Sequence, residues 1–309
     1  MRTVPELFRR HPKNPLLHRG SWPYQVNTVF NPAAALVGNE VVLLVRAEDR
    51  RGISHLTVAR SADGVSGWRV EPQPSLLPAT DRDSWGLEDP RVTWLADEGK
   101  WIAVFTEYSD DGPRLGMALT PDFCSFDRIV PRVGPEGKDA DKDAAVLPRK
   151  VGGRWALIHR PQISGTADMW MSFSDDLKEW TDSVRFMRAR DGALWDAGKI
   201  GLSPPPLETP DGWLVLYHGT KRTPAGCIYR AGLALLDLDD PRTVLHRASE
   251  WVFSPEAPYE IAGDVGMVVF PCGWFADGDT VFLYYGAADT CVGLATASLS
   301  ELVKFVKGS

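Results

Sequence analysis

Short apolar runs, each ending in polar residues and a turn, recur along the whole chain. Val41–Arg46 is followed by Leu56–Gly64, and Trp101–Thr106 by Leu115–Phe123. Arg154–Arg160 then precedes Met169–Leu177, Trp213–His218 precedes Ala231–Asp237, and Val281–Gly286 precedes Val292–Ala297. Alignment of Ala59, Ala118, Ser172, Ala234 and Ala295 gives spacings of 59, 54, 62 and 61 residues. Each period holds about four strand-sized runs separated by Gly, Pro, Asp and Asn. With almost no stretch of helical periodicity, the pattern predicts an all-β protein. Radial repetition of four-stranded units leaves only short, protected sheet edges, so five such units predict a five-bladed β-propeller. The expected organisation is one catalytic domain over residues 1–309, with the N-terminal strands closing the last blade. Ser298–Val306 reads as a short helix or an edge strand. The apolar runs read as the innermost strands, which places the polar residues after them at one mouth of the central channel.

Composition narrows the function. A net charge of −7 over 309 residues argues against a nucleic-acid footprint or a basic membrane-binding face. The N-terminal stretch lacks an apolar core with a cleavage site, and no apolar run approaches a membrane span, so a cytoplasmic location is expected. The four cysteines show no metal-ligand spacing and read as reduced thiols. Twelve tryptophans supply flat apolar faces suited to sugar rings as well as to cores.

The stretch Ser84-Trp85-Gly86-Leu87-Glu88-Asp89-Pro90-Arg91 carries the sharpest candidate chemistry. Pro90 is expected to hold Asp89 extended, which would send Glu88 and Asp89 to opposite sides of the backbone. Acidic candidates at the mouth are Glu48, Asp49, Glu88, Asp89, Asp143, Asp196 and Asp289; cationic ones are Arg46, Arg91, Lys142, Arg160, Lys199 and His218. A carboxylate beside several cations and aromatic rings suits chemistry at an acetal carbon with an anionic partner. A hydrolase needs a second carboxylate to activate water. Phosphate is already a nucleophile and needs cations to hold it, so the cationic excess favours phosphorolysis.

The strings Asn31-Pro32, Val45-Arg46-Ala47-Glu48-Asp49-Arg50-Arg51-Gly52, Gly86-Leu87-Glu88-Asp89-Pro90-Arg91, Lys142-Asp143, His159-Arg160-Pro161, Lys199-Ile200-Gly201, Tyr217-His218-Gly219 and Tyr284-Tyr285-Gly286-Ala287-Ala288-Asp289 resemble glycoside hydrolase family 130. That family comprises β-mannoside phosphorylases and some β-mannosidases on five-bladed propellers. The resemblance implies Asp89 as general acid, a role that needs its pKa raised by burial and nearby charge. It implies Arg46, Arg160, Lys199, His218 and Tyr229 as phosphate ligands. Glu48, Asp49, Glu88, Arg91, Lys142, Asp143, Asp196 and Asp289 would face the sugar. Asp196 departs from the Glu common in relatives, and Gly266-Met267 from their Pro-Asn. The implied reaction converts a β-mannoside oligosaccharide and inorganic phosphate, without metal or organic cofactor, into α-mannose 1-phosphate and a shortened sugar. A β-mannosidase, or a silent sugar-binding propeller, remains the alternative. Residues 131–142 and 220–228 read as long loops that would pack against another copy in a homo-oligomer.

Overall fold

The computed structural model describes residues 7–134, 140–163, 167–224 and 226–309. Its regular structure is almost entirely β. The strands fall into five consecutive, mainly antiparallel units, whose inner strands are Thr28–Val37, Gly86–Leu95, Asp141–Val146, Lys199–Leu202 and Val269–Asp277. One parallel residue pair, Ser54 with Gly86, joins the first two units into one eight-stranded sheet, and Arg132–Val133 pairs parallel with Glu179–Trp180 at the edge of the third. Near the N-terminus, Arg9–Arg10 pairs antiparallel with Thr296 and Ala295 in the fifth unit. Residues Leu299–Lys307 form a helix capped by the Ser298 hydroxyl, rather than an edge strand.

Five apolar cores lie between consecutive units. Leu44 and Val58 meet Leu87 and Phe105, Val104 meets Trp155, Ile158 meets Val215, and Leu216 meets Leu283. The fifth core joins the ends of the chain, with Leu43 and Val45 packed beside Tyr284 and Leu294. Because each strand of the apolar runs packs on both faces, it reads as a continuous apolar stretch instead of an alternating one.

The apolar runs are the second strands of their units, not the innermost. The inner strands meet one another across units, with Thr28–Val37 touching both Gly86–Leu95 and Val269–Asp277. These inner strands are hard to read because they carry Pro32, Pro90 and Pro271 and are broken by bulges. Of the segment 220–228, the described residues 220–223 and 226–228 are strand, not loop. They continue a hairpin in which Gly212–Thr223 pairs with Gly226–Leu236 out to Thr223 opposite Gly226. Of the other segment, 135–139 lie outside the described residues.

Candidate active site

A cavity of about 160 Å³ opens where the inner strands converge. Two larger clefts of about 510 and 560 Å³ flank the C-terminal helix, but their linings gather no buried titratable cluster. The small cavity gathers Arg46, Glu88, Asp89, Lys142, Asp143, Arg160, Lys199, His218, Tyr229 and Asp289 from all five units or their connections.

Three side chains enter it by the same backbone device. Asn31, Asp89 and Asp143 have φ of 45°, 51° and 54°. Each sits at a register shift in its inner strand, where two residues oppose one on the partner. Asn and Asp tolerate this left-handed conformation better than other side-chain-bearing residues. Asp89 is therefore not extended, despite Pro90. The bulge places Glu88 and Asp89 on one guanidinium instead of on opposite sides of the strand.

That guanidinium belongs to Arg46. Its Nη1 donates to Asp89 Oδ1 at 3.0 Å, its Nη2 to Glu88 Oε1 at 2.9 Å and its Nε to Ser54 Oγ at 2.9 Å. Asn31 Nδ2 donates to the same Asp89 Oδ1 at 2.8 Å. Gly286 leaves room for Asn31, since a Cβ there would lie 1.8 Å from its Oδ1. Asp89 Oδ1 is thus saturated, while Oδ2 takes no hydrogen bond among the described residues. Burial pushes the Asp89 carboxyl up, but Arg46, the Asn31 hydrogen bond, Lys142 and Arg91 outweigh it and hold it below its ordinary value. The raised pKa expected from burial is therefore not what these neighbours produce. Asp289 behaves oppositely. Burial, with Asp89 and Glu88 nearby, pushes it up to about 7 against the pull of Arg46. Lys142 Nζ donates to Glu88 Oε2 at 3.1 Å and lies 4.7 Å from the centre of the Tyr108 ring.

The other half is cationic. Arg160 Nη2 lies 3.0 Å from Asp143 Oδ2, and His218 Nε2 lies 3.4 Å from the same oxygen. Gly201 permits this meeting, because a Cβ there would be 2.4 Å from Asp143 Oδ2 and 2.7 Å from His218 Cε1. Arg160 is 5% exposed, yet its Nε and Nη1 have no partner among the described residues. His218 Nδ1 is likewise buried and unpaired. Burial, with Arg160 and Lys199 nearby, lowers His218 to about 4 despite Asp143, so the imidazole is neutral at pH 7. Burial opposes the charge on Asp143, but Arg160, His218 and Arg91 hold it well below the usual carboxylate range. Lys199 Nζ sits 5.1 Å from the centre of the Tyr229 ring, and the Tyr229 amide donates to the Met267 carbonyl.

Four expected residues do not line the cavity. Asp196 is fully buried elsewhere, held by Arg190, Arg247 and the Tyr217 hydroxyl at 2.8, 2.6 and 2.9 Å. Gly219 leaves the room it needs, since a Cβ there would lie 2.4 Å from the Asp196 Cβ. Arg91 lies beneath the floor, donating to the Asp89, Leu202 and Ser203 carbonyls. Asp49 closes its own turn on the amide and guanidinium of Arg51. Glu48 stays behind the lining, 3.9 Å from Arg46. Asn31 and Phe270 line the cavity as well, although the sequence does not single them out as site residues. The Asn-Pro pair at Asn31, matching the Asp-Pro pair at Asp89, is the available signal for the first; nothing local marks the second. Among the described residues, no group of three or more His, Cys, Asp or Glu side chains is placed to hold a metal ion.

The chain is similar over nearly its whole length to known proteins. A 1,2-β-oligomannan phosphorylase from a Thermoanaerobacter species is 31% identical across 96% of this chain and 99% of its own length. A β-1,4-mannooligosaccharide phosphorylase from Ruminococcus albus is 32% identical over 98% and 91%. The solved β-1,2-mannobiose phosphorylase of Listeria innocua, in complex with β-1,2-mannobiose, superposes with a TM-score of 0.88 at 28% identity, covering 98% of this chain and 99% of that one. The sequence profile described as β-1,4-mannooligosaccharide phosphorylase matches residues 7–308, and the chain belongs to glycoside hydrolase family 130.

Proposed function

We propose that this protein is an inverting β-mannoside phosphorylase built as a single five-bladed propeller, with its site at one channel mouth. The observation that carries the reading is Arg160: a buried guanidinium with two nitrogens unpaired, next to a neutral, half-satisfied histidine. Buried donors without partners cost free energy of about 1–3 kcal/mol each, more for charged groups, unless a ligand meets them. An oxyanion with several acceptors fits, and Lys199 and the Tyr229 hydroxyl complete the cradle. The five cores that include one between the last and first units support the closed ring.

Phosphate held by Arg160, Lys199, His218 and Tyr229 attacks the anomeric carbon. The glycosidic C–O bond breaks on the opposite face, and Asp89 Oδ2 supplies the proton to the departing oxygen, directly or through a sugar hydroxyl. Attack and departure on opposite faces give α-mannose 1-phosphate from a β-mannoside. Arg46 commits an N–H from each of its three nitrogens to protein, and its role is to hold the acid. Asp89 is ionised among its protein neighbours alone, and two events raise its pKa: the sugar displaces water, and the phosphate anion offsets the cations. Asp289 carries a proton near neutrality in the same pocket. Asp143 fixes Arg160 and His218, while Glu88, Lys142 and Asp289 face the sugar.

The reading also favours a cytoplasmic enzyme, where phosphate is available and the phosphorylated product is retained. Its extended hairpin around Thr223 is a candidate contact for a homo-oligomer. The test is cleavage of β-mannobiose with and without phosphate. The expected result is strict phosphate dependence with α-mannose 1-phosphate as product. Full-rate release of mannose in phosphate-free buffer would make the protein a β-mannosidase.

A further inference from the structure

Trp85 is one of the large apolar side chains left in solvent, half exposed beside the catalytic stretch. It is not loosely held. Its ring stacks on Tyr108 with centroids 5.8 Å apart and planes 16° from parallel, and its amide donates to the Tyr108 carbonyl at 2.9 Å. Gly86, at φ 125°, sits hard against Ser54, where a Cβ would lie 2.6 Å from the Ser54 amide nitrogen. Upstream, buried Asp83 is tied to Arg128 at 2.6 Å and to the Ala79 and Thr80 amides. The indole is therefore a fixed plate with one covered and one open aspect.

The plate connects to the active site. Lys142, a cavity residue bonded to Glu88, lies against the Tyr108 ring that Trp85 stacks upon. The cavity itself, at about 160 Å³, is too small to enclose an oligosaccharide. Sugars beyond the reacting one must leave by the mouth, and Trp85 is two ring contacts from Lys142 in its lining. Rigid aromatic faces bind the apolar C–H faces of pyranoses with little loss of side-chain entropy.

We propose that Trp85 is the stacking platform for the sugar one unit beyond the one released next to the scissile bond, so that it selects for chain length. This deepens the phosphorylase reading and depends on it for the identity of the chain. The test compares wild type, Trp85→Ala and Trp85→Phe on β-mannobiose and β-mannotetraose of the linkage the wild type cleaves, at saturating phosphate. For Trp85→Ala we expect KM for the tetraose to rise roughly five- to tenfold, with kcat and all mannobiose constants unchanged. Trp85→Phe should recover most of the loss. An equal loss on both substrates, or none on either, would overturn the proposal. So would an effect of Trp85→Ala on sedimentation alone, which would make the indole a contact between copies. Calorimetric titration with mannotetraose separates the two readings. Wild type that binds the tetraose in a Trp85-dependent way but cleaves without phosphate would sink the phosphorylase reading and leave the platform standing.

Discussion

Two arginines, Arg160 buried and Arg46 mostly so, face one small cavity, each beside an aspartate thrust inward by a bulge, and they are in opposite states. Arg46 spends every nitrogen on protein: Ser54, Glu88 and Asp89. Arg160 gives one nitrogen to Asp143 and keeps two unpaired. The same residue type in the same kind of setting is an internal clamp in one place and an open anion receptor in the other. What separates them is the number of carboxylates within reach, two for Arg46 at 3.0 Å or less and one for Arg160.

The largest effect expected from breaking this arrangement lies on the clamp side. Asp89→Asn keeps the shape and the Asn31 and Arg46 neighbours but removes the transferable proton. It should lower kcat by about 10²–10⁴-fold with substrate binding retained, measured by initial rates and calorimetry. On the receptor side, Arg160→Ala should reduce kcat/KM for phosphate by about 10²-fold or more, because a charged, bidentate contact disappears from a buried site. The KM for mannoside should move far less, and a uniform loss on both substrates would remove the distinction between the two halves.

A third prediction uses the proton on Asp289. The carboxyl titrates near 7 when folded and near its ordinary 3.8 when unfolded. Between these values the unfolded chain binds fewer protons than the folded one, so stability falls as pH rises through that window. Asp289→Asn should remove the loss, raising Tm relative to wild type at about pH 8 and leaving it unchanged at about pH 4. The gain is expected on the order of 1 kcal/mol or more. The smallest effect concerns Met267, held at φ 63° where its carbonyl supports Tyr229. Met267→Asn should add about 0.5 kcal/mol, read by denaturant unfolding, since Asn accepts that conformation with less strain.

The sequence made the second and third strands of each unit legible, because strands buried on both faces are unbroken apolar runs. It hid the inner strands, where proline and left-handed aspartates interrupt the pattern at the positions that build the site. Arg160 and His218 are readable as cationic candidates from their places at strand ends, and Lys199 from the glycines around it. Arg46 belongs with the acid because of a contact to Asp89, 43 positions away, that no local spacing encodes. Asp196 stands in the acidic set by its type and the family resemblance, but its partners are Arg190 and Arg247, whose approach no local spacing encodes.

The division between clamp and receptor is tested most directly by calorimetric titration of inorganic phosphate into three proteins: wild type, Arg46→Lys and Arg160→Lys. Wild type and Arg46→Lys should bind phosphate with similar affinity, and Arg160→Lys should lose at least about tenfold. Loss in Arg46→Lys with normal binding by Arg160→Lys would contradict the assignment.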